Sequence, residues 1–245
     1  MVTSPLLSSI PGLRHGFGTA TALVPEALAG VWQRRPIKRQ VHGTRVAAIA
    51  EPQQEAGEAD GFWTAEPGIP VSIITADCVP LLLARRDGKQ VAAIHAGWRG
   101  LYDGIIAEAV STLGSGSQVD TAPAVPAAEL VSTGEPDPKV DTGSTVVAAV
   151  GPTICAACYE VSAEMADDFA RRFGPAAVPA YRHLDLRAIA ELQLRAAGVV
   201  DIEHVGGCTC CSRDAAGEPI YRSYRRGDRG SQMHSGLYIT TKGEQ

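Results

Sequence analysis

The stretch PLLLARRDGKQVAAIHAGWRG, residues 80–100, holds two apolar runs, PLLLA (80–84) and QVAAIH (90–95), on either side of the polar RRDGK (85–89). Asp87-Gly88 supplies the chemistry of a tight reversal, because glycine accepts positive φ without a Cβ clash. The two runs are therefore expected to pair antiparallel. Each is short, bounded by Gly, Pro, Asp or Lys and apolar nearly throughout, which is the signature of a mostly buried strand. The same reading extends outward to VAAIA (46–50), PVSIIT (70–75) and TVVAAV (145–150).

Three segments carry a helical period instead: DGIIAEAVSTL (103–113), SAEMADDFARRF (162–173) and DLRAIAELQLRAA (185–197). In the second, Met165, Phe169 and Phe173 recur every four residues and Ser162 is placed to cap the first turn. In the third, Asp185 is the cap and Gly198 the stop. Strands interleaved with helices predict an α/β or α+β protein. Between them, residues 114–144 are rich in Gly, Ser, Pro, Thr and Ala, and offer too little apolar surface to offset their own ordering entropy. They are expected to form a mobile surface insertion within one domain spanning residues 1–245.

The net charge of −5 is spread along the chain with no basic stripe, so nucleic acid is not an expected partner. No run is long and apolar enough to span a bilayer, and MVTSPLLSSIPGLRHG lacks the charged and apolar regions of an export signal. A cytoplasmic monomer is expected. In that compartment the six cysteines are read as free thiols or metal ligands rather than as three disulfides.

His42 in RQVHG, Cys78 in TADCVPLLL and His95 in AAIHAGWRG each sit at the end of an apolar run or in a tight loop. Neighbouring strand ends can bring such distant side chains together, and two imidazoles with one thiolate suit zinc with an open fourth position. Taken singly, each also reads as scaffold: a hydrogen-bonded histidine, or a small core cysteine. Spacing alone leaves both readings open. In HAGWRG, Gly97 and Gly100 permit close backbone approach, Arg99 offers a planar donor fork for phosphate or carboxylate, and Trp98 a flat face for a ring. The plainer alternative is Trp98 in the core with Arg99 paired to a surface acid.

RQVHG, ADGFWT, TADCVPLLL, IHAGWRGL, VGPTICAACYEVS, HLDLRAIAELQLRAAGV, CTCC and YRSYRRGD occur in this order from about Gly16 to Ile239. Together they resemble the YfiH/laccase-domain family, also described as purine nucleoside phosphorylase or polyphenol oxidase. The resemblance implies an α+β fold, an α-β-β-α sandwich with mixed sheets and helices outside. It implies metal ligation by His42, Cys78 and His95, normally of zinc, with copper the alternative ion. It also implies phosphorolysis of purine nucleosides such as adenosine, inosine or methylthioadenosine, with adenosine deamination as a related activity. Within that scheme Cys78, Asp77 and Arg99 are the catalytic candidates, Asp77 as a proton-transfer group or a residue orienting the ligands. Trp98, Arg99 and Tyr159 are the substrate-binding candidates, Glu160 a weaker one, and nucleoside and phosphate the expected small-molecule partners.

Other activities fit less well. A multicopper oxidase needs many histidines for its copper centres, and this chain has six. A nucleobase deaminase would show H-x-E, whereas His42 is followed by Gly43 and Thr44. A cytoplasmic amidase acting on a peptidoglycan precursor, a polyphenol oxidase and a non-catalytic zinc-holding nucleoside binder remain as alternatives. Two departures from the family pattern bear on anion binding: Ala20 stands where an arginine is common, and RRGDRGSQMHSG lacks the arginine that usually closes the C-terminal motif. Cys155 and Cys158 form C-x-x-C, and Cys208, Cys210 and Cys211 form C-x-C-C. Their separation of about fifty residues lies well outside a zinc ribbon, so reduced thiols lining the pocket are the expected role.

Overall fold

The computed structural model describes residues 2–114, 145–230, 232–241 and 243. Of the expected insertion only Gly114 falls among them, closing a helix; residues 115–144 lie outside the described residues.

The expected hairpin is the centre of the molecule. Strands β7 (Val79–Arg85) and β8 (Val91–Ala96) pair antiparallel from Val79↔Ala96 to Ala84↔Val91. The reversal is closed by Arg85 N–H donating to the Gln90 carbonyl at 2.9 Å, with Gly88 at φ +69°. The Asp87 carboxylate accepts from the Lys89 amide and the Arg85 guanidinium and so completes the turn. Around this pair the sheet grows to six strands through β9 (Val146–Val150), β10 (Ile202–His204), β5 (Gly61–Thr64) and β3 (Val46–Ala48), in the order β10-β9-β7-β8-β5-β3. A second sheet has the order β1 (Leu13–Phe17), β11 (Met233–Ile239), β6 (Val71–Thr75) and is antiparallel throughout. A two-stranded ribbon joins β2 (Ile37–Arg39) to β4 (Glu55–Glu58).

The six-stranded sheet is covered on both faces, which is why its central strands are apolar at nearly every position instead of alternating. Val79, Leu81 and Leu83 face a core shared with helices α3 (Ile105–Gly114), α4 (Ala163–Phe173) and α5 (Leu186–Ala196). Leu82 and Ala84, on the opposite face, enter a second core with Phe17, Val71, Ile73 and Leu237 of the three-stranded sheet. The outermost layer beyond that sheet is a 3-10 segment, Glu26–Arg34, whose Leu28 and Val31 pack with Tyr238. The α+β class and sandwich layering follow the expectation; the fourth layer is a 3-10 segment where an α-helix was implied.

Local signals placed the helices well. The Ser162 and Asp185 side chains accept from the Met165 and Ala188 amides, capping α4 and α5. The helix expected over 103–113 starts instead at Ile105. Gly104, at φ +95°, ends a preceding short helix α2 (Trp98–Asp103) in the left-handed conformation that glycine tolerates.

His15, on β1, is 4% exposed and accepts at Nε2 a hydrogen bond, 2.8 Å long, from the amide of Ser4, the cap of the short helix α1 (Pro5–Ser8). Burial, partly offset by Glu203, lowers its pKa from 6.5 to about 4. The unfolded chain therefore takes up this proton first as pH falls. The stability that neutral His15 preserves is fully present above about pH 6.5 and is lost between there and pH 4, on the order of 2–3 kcal/mol. Urea unfolding at pH 7.5 and 4.5 should show this loss, and His15→Gln, which keeps an acceptor for Ser4 but cannot titrate, should make the profile shallower, with His234, also lowered to about 4 by burial, keeping a share of it. An equal pH dependence in the two proteins would contradict it.

Candidate metal-ligand cluster

The cluster is assembled by sheet register. β5 pairs with β8 so that Gly61 lies opposite Ile94, which sets Asp60, the residue before β5, beside His95. His95 N–H donates to the Asp60 carbonyl and its Nδ1 bonds the Asp60 carboxylate, both at 2.7 Å. The same fully buried carboxylate accepts from the backbone amides of Val41, His42 and Gly43 at 3.1, 2.9 and 2.7 Å. These bonds hold the turn in which His42 adopts φ +63°, a left-handed conformation unusual for a residue with a side chain. Asp60 thus orients one imidazole directly and the other through its backbone.

Cys78 arrives on the loop between β6 and β7. The preceding residue, Asp77, at φ +102°, is pinned at three atoms. Its carbonyl accepts from the Thr153 hydroxyl at 2.6 Å, Oδ1 accepts from the Thr209 hydroxyl at 2.6 Å, and Oδ2 accepts from the Arg225 amide at 2.7 Å.

The ligand atoms of His42, Cys78 and His95 lie within 4.8 Å of one another. His42 is exposed, Cys78 half-buried and His95 buried, so the group opens to solvent on one side. Burial disfavours the Cys78 thiolate, but hydrogen bonds from His42 and His95 outweigh it and hold the thiol at about 6. Burial likewise opposes charge on His95, while Asp60 and Cys78 raise its pKa to about 9. One imidazole held between a carboxylate and a thiolate is an environment that stabilises a cation. The donor set, two nitrogens and one sulfur, suits zinc or another borderline-soft divalent ion.

Gly97 leaves the room. A Cβ there would stand 2.9 Å from His42 Cδ2, 3.3 Å from Cys78 Sγ and 3.7 Å from His95 Cε1. Its φ of −73° suits any residue, so Gly97→Ala is expected to fold normally yet lower zinc affinity, by roughly 10–100-fold as for other disturbances around metal ligands. Competition with a chromophoric chelator measures this; wild-type affinity would show that the cluster tolerates the methyl.

The remaining expected residues surround the cluster differently from one another. Arg99 is exposed on the first turn of α2, its guanidinium 4.6 Å from the centre of the Trp98 ring. Trp98 is half-buried against the helix-side core. Arg99 covers one face of the indole. Tyr159 is half-buried, and Cys78, Arg225, Asp77 and Arg99 all act on it electrostatically. Burial, reinforced by the charge on Cys78, pushes its phenol up to about 12, so it is a hydrogen-bond donor at neutral pH. Glu160 is exposed and paired with Arg182 at 3.1 Å.

Sequence reasoning missed Asp60 and Arg225, although both lie in quoted motifs, ADGFWT and YRSYRRGD. Arg225 lies over the Tyr159 ring at 5.1 Å and donates to the Glu160 carbonyl at 2.8 Å. Ala20 is held through its backbone: its amide donates to the Ile220 carbonyl, and its carbonyl accepts from Arg222 at 3.5 Å.

The four other histidines are engaged elsewhere: His15 with Ser4, His183 with the Tyr181 carbonyl, His204 with Glu191, and His234 edge-on to Trp32. No histidine-rich centre of the kind that holds several coppers forms among the described residues.

Comparison with known proteins places the chain. It is 33% identical over 207 residues to a purine nucleoside phosphorylase of Pseudomonas aeruginosa, covering 82% of this chain and 72% of that one. It is 28% identical over 214 residues to the purine nucleoside phosphorylase YfiH of Escherichia coli, covering 86% and 76%. Among solved structures it matches Bacillus licheniformis YfiH with a TM-score of 0.72 at 21% identity, over 95% of this chain and 94% of that one. It also matches the Neisseria meningitidis protein NMB0706 with a TM-score of 0.66 at 27% identity, over 87% and 78%. The family model described as multi-copper polyphenol oxidoreductase laccase aligns with residues 21–130 and 136–239, and the chain belongs to that family.

Proposed function

We propose that this chain is a zinc-dependent purine nucleoside phosphorylase, with His42, Cys78 and His95 as the ligands of its ion. The observation that carries the reading is the convergence of these three donors, open on the His42 side and braced by Asp60. The names of its relatives supply the substrate class.

In the reaction, a phosphate oxygen bonds to ribose C1′ as the glycosidic C–N bond breaks, and the electron pair leaves on the purine, which takes up a proton. A divalent ion bound to the three donors supplies Lewis acidity toward an anionic oxygen. Arg99, braced on Trp98, offers a donor fork for phosphate where it can contact solvent. Tyr159, kept protonated, donates a hydrogen bond to substrate, and Arg225 adds positive charge beside it. Both carboxylate oxygens of Asp77 are engaged, so we assign it the holding of the Cys78 loop rather than proton transfer. Adenosine, inosine and methylthioadenosine are the proposed substrates, with water attack on adenosine a minor activity. The enzyme is proposed to work as a cytoplasmic monomer; among the described residues no helix is long and apolar enough to cross a membrane.

Incubation with inosine and phosphate is expected to yield ribose 1-phosphate and hypoxanthine. No product above a Cys78→Ala control would reject the assignment. Release of an amino acid from a nucleotide-linked muropeptide, without ribose 1-phosphate, would replace it with amidase activity.

A further inference from the structure

The fold brings together a second group of donors, remote in sequence from the first. The sulfurs of Cys155, Cys158, Cys208 and Cys211 lie within 4.8 Å of one another. An ideal zinc tetrahedron with Zn–S of about 2.3 Å has S···S edges of about 3.8 Å, so modest side-chain rotation closes the group around an ion. All four are free thiols.

The backbone is already arranged as two knuckles. Cys155 and Cys158 span one 3-10 turn, with Cys158 N–H donating to the Cys155 carbonyl at 3.0 Å. Cys208 and Cys211 lie in a five-residue turn, closed by Ser212 N–H on the Cys208 carbonyl at 3.1 Å. The knuckles are joined by a parallel bridge between Thr153 and Cys208, and by Thr209 N–H on the Thr153 carbonyl at 3.2 Å. Cys155 N–H donates to Cys208 Sγ at 3.2 Å, a contact that stabilises negative charge on sulfur. The sequence shows C-x-C-C, but the structure brings Cys208 and Cys211 into the group and leaves Cys210 outside it. What remains is C-x-x-C facing C-x-x-C, the ligand pattern of a closed structural zinc centre.

We propose that Cys155, Cys158, Cys208 and Cys211 form a tetrathiolate zinc site with a structural role, separate from the His42, Cys78, His95 cluster. Its position says what it would hold. The hydroxyls of Thr153 and Thr209 and the Ile154 amide, from these two loops, carry Asp77, the neighbour of Cys78. A metal tying the loops together fixes that support. Residues 206–230 contain no helix or extended strand of their own, so they gain the most from a staple.

The test uses the full chain purified under reducing conditions with added zinc. Elemental analysis is expected to give two zinc equivalents per wild-type chain, and one in Cys78→Ala. Replacing zinc by cobalt in Cys78→Ala should give intense thiolate-to-cobalt charge-transfer absorption from four sulfurs. Cys208→Ser in that background should lose most of it. Absence of this absorption in Cys78→Ala, with the thiols reduced by titration, overturns the proposal; this readout does not depend on whether Cys208→Ser folds. A disulfide within the group that persists in the presence of zinc overturns it as well. Because Cys78→Ala abolishes the proposed activity but keeps this second metal, failure here is distinguishable from failure of the phosphorylase reading.

Discussion

Cys78→Ala is expected to abolish phosphorolysis while leaving a folded protein. Of the three converging donors proposed as ligands, Cys78 is the anionic one, and its thiol is held at about 6 by the two imidazoles that flank it. Without it, only the two imidazole donors of His42 and His95 remain, too few to hold zinc tightly. An ion that polarises a phosphoryl oxygen contributes several kcal/mol to transition-state stabilisation. Losing it corresponds to a decrease on the order of 10³-fold or more in kcat/KM. The side chain is half-buried and small, so the cost to stability should be only about 1 kcal/mol. Steady-state kinetics with inosine, read beside the urea midpoint, separates the two effects. Retention of more than a tenth of wild-type kcat/KM would remove the thiolate from the chemistry.

Asp60→Asn is the second large effect. The carboxylate is fully buried and accepts from three amides and from His95. An amide of the same shape must turn its NH2 toward at least one of those donors and leave a buried pair unmatched, which costs about 1–3 kcal/mol, more because the group was charged. A total loss of roughly 3–5 kcal/mol is expected, in the range for breaking one partner out of a buried charged network. Zinc affinity should fall with it, by roughly 10–100-fold, because His95 loses its orienting acceptor and His42 its turn. Chemical denaturation and chelator competition report the two losses. Wild-type values in both would mean that the imidazoles are placed by something other than Asp60.

The hairpin at 80–95 and both helix caps were legible in the sequence, and so were His42, Cys78 and His95 as candidates, which the fold brings together. Each rests on local chemistry or on an ordered set of motifs: Asp-Gly at a reversal, Ser162 and Asp185 at helix starts, ligand residues beside glycines. Strands without a continuous apolar run were not legible. β10 is three half-buried residues, and β11 mixes Met, His, Ser and Gly, so neither shows a hydrophobic period. The neighbour of Gly236 explains the composition: a Cβ there would stand 2.5 Å from the Val71 carbonyl of β6.

By itself, then, the amino-acid sequence determined which segments would be buried strands, where the helices begin, and which donors this protein has available. Only the tertiary structure decided which of those donors meet. Asp60 becomes the brace of both imidazoles because β5 and β8 pair in one register, and Cys158 finds Cys208 across fifty residues because Thr153 bridges to it. Turn and cap preferences act between residues a few positions apart and so can be read along the chain. Contact between remote side chains depends on strand order and register, which arise only when the separate apolar surfaces are buried against one another.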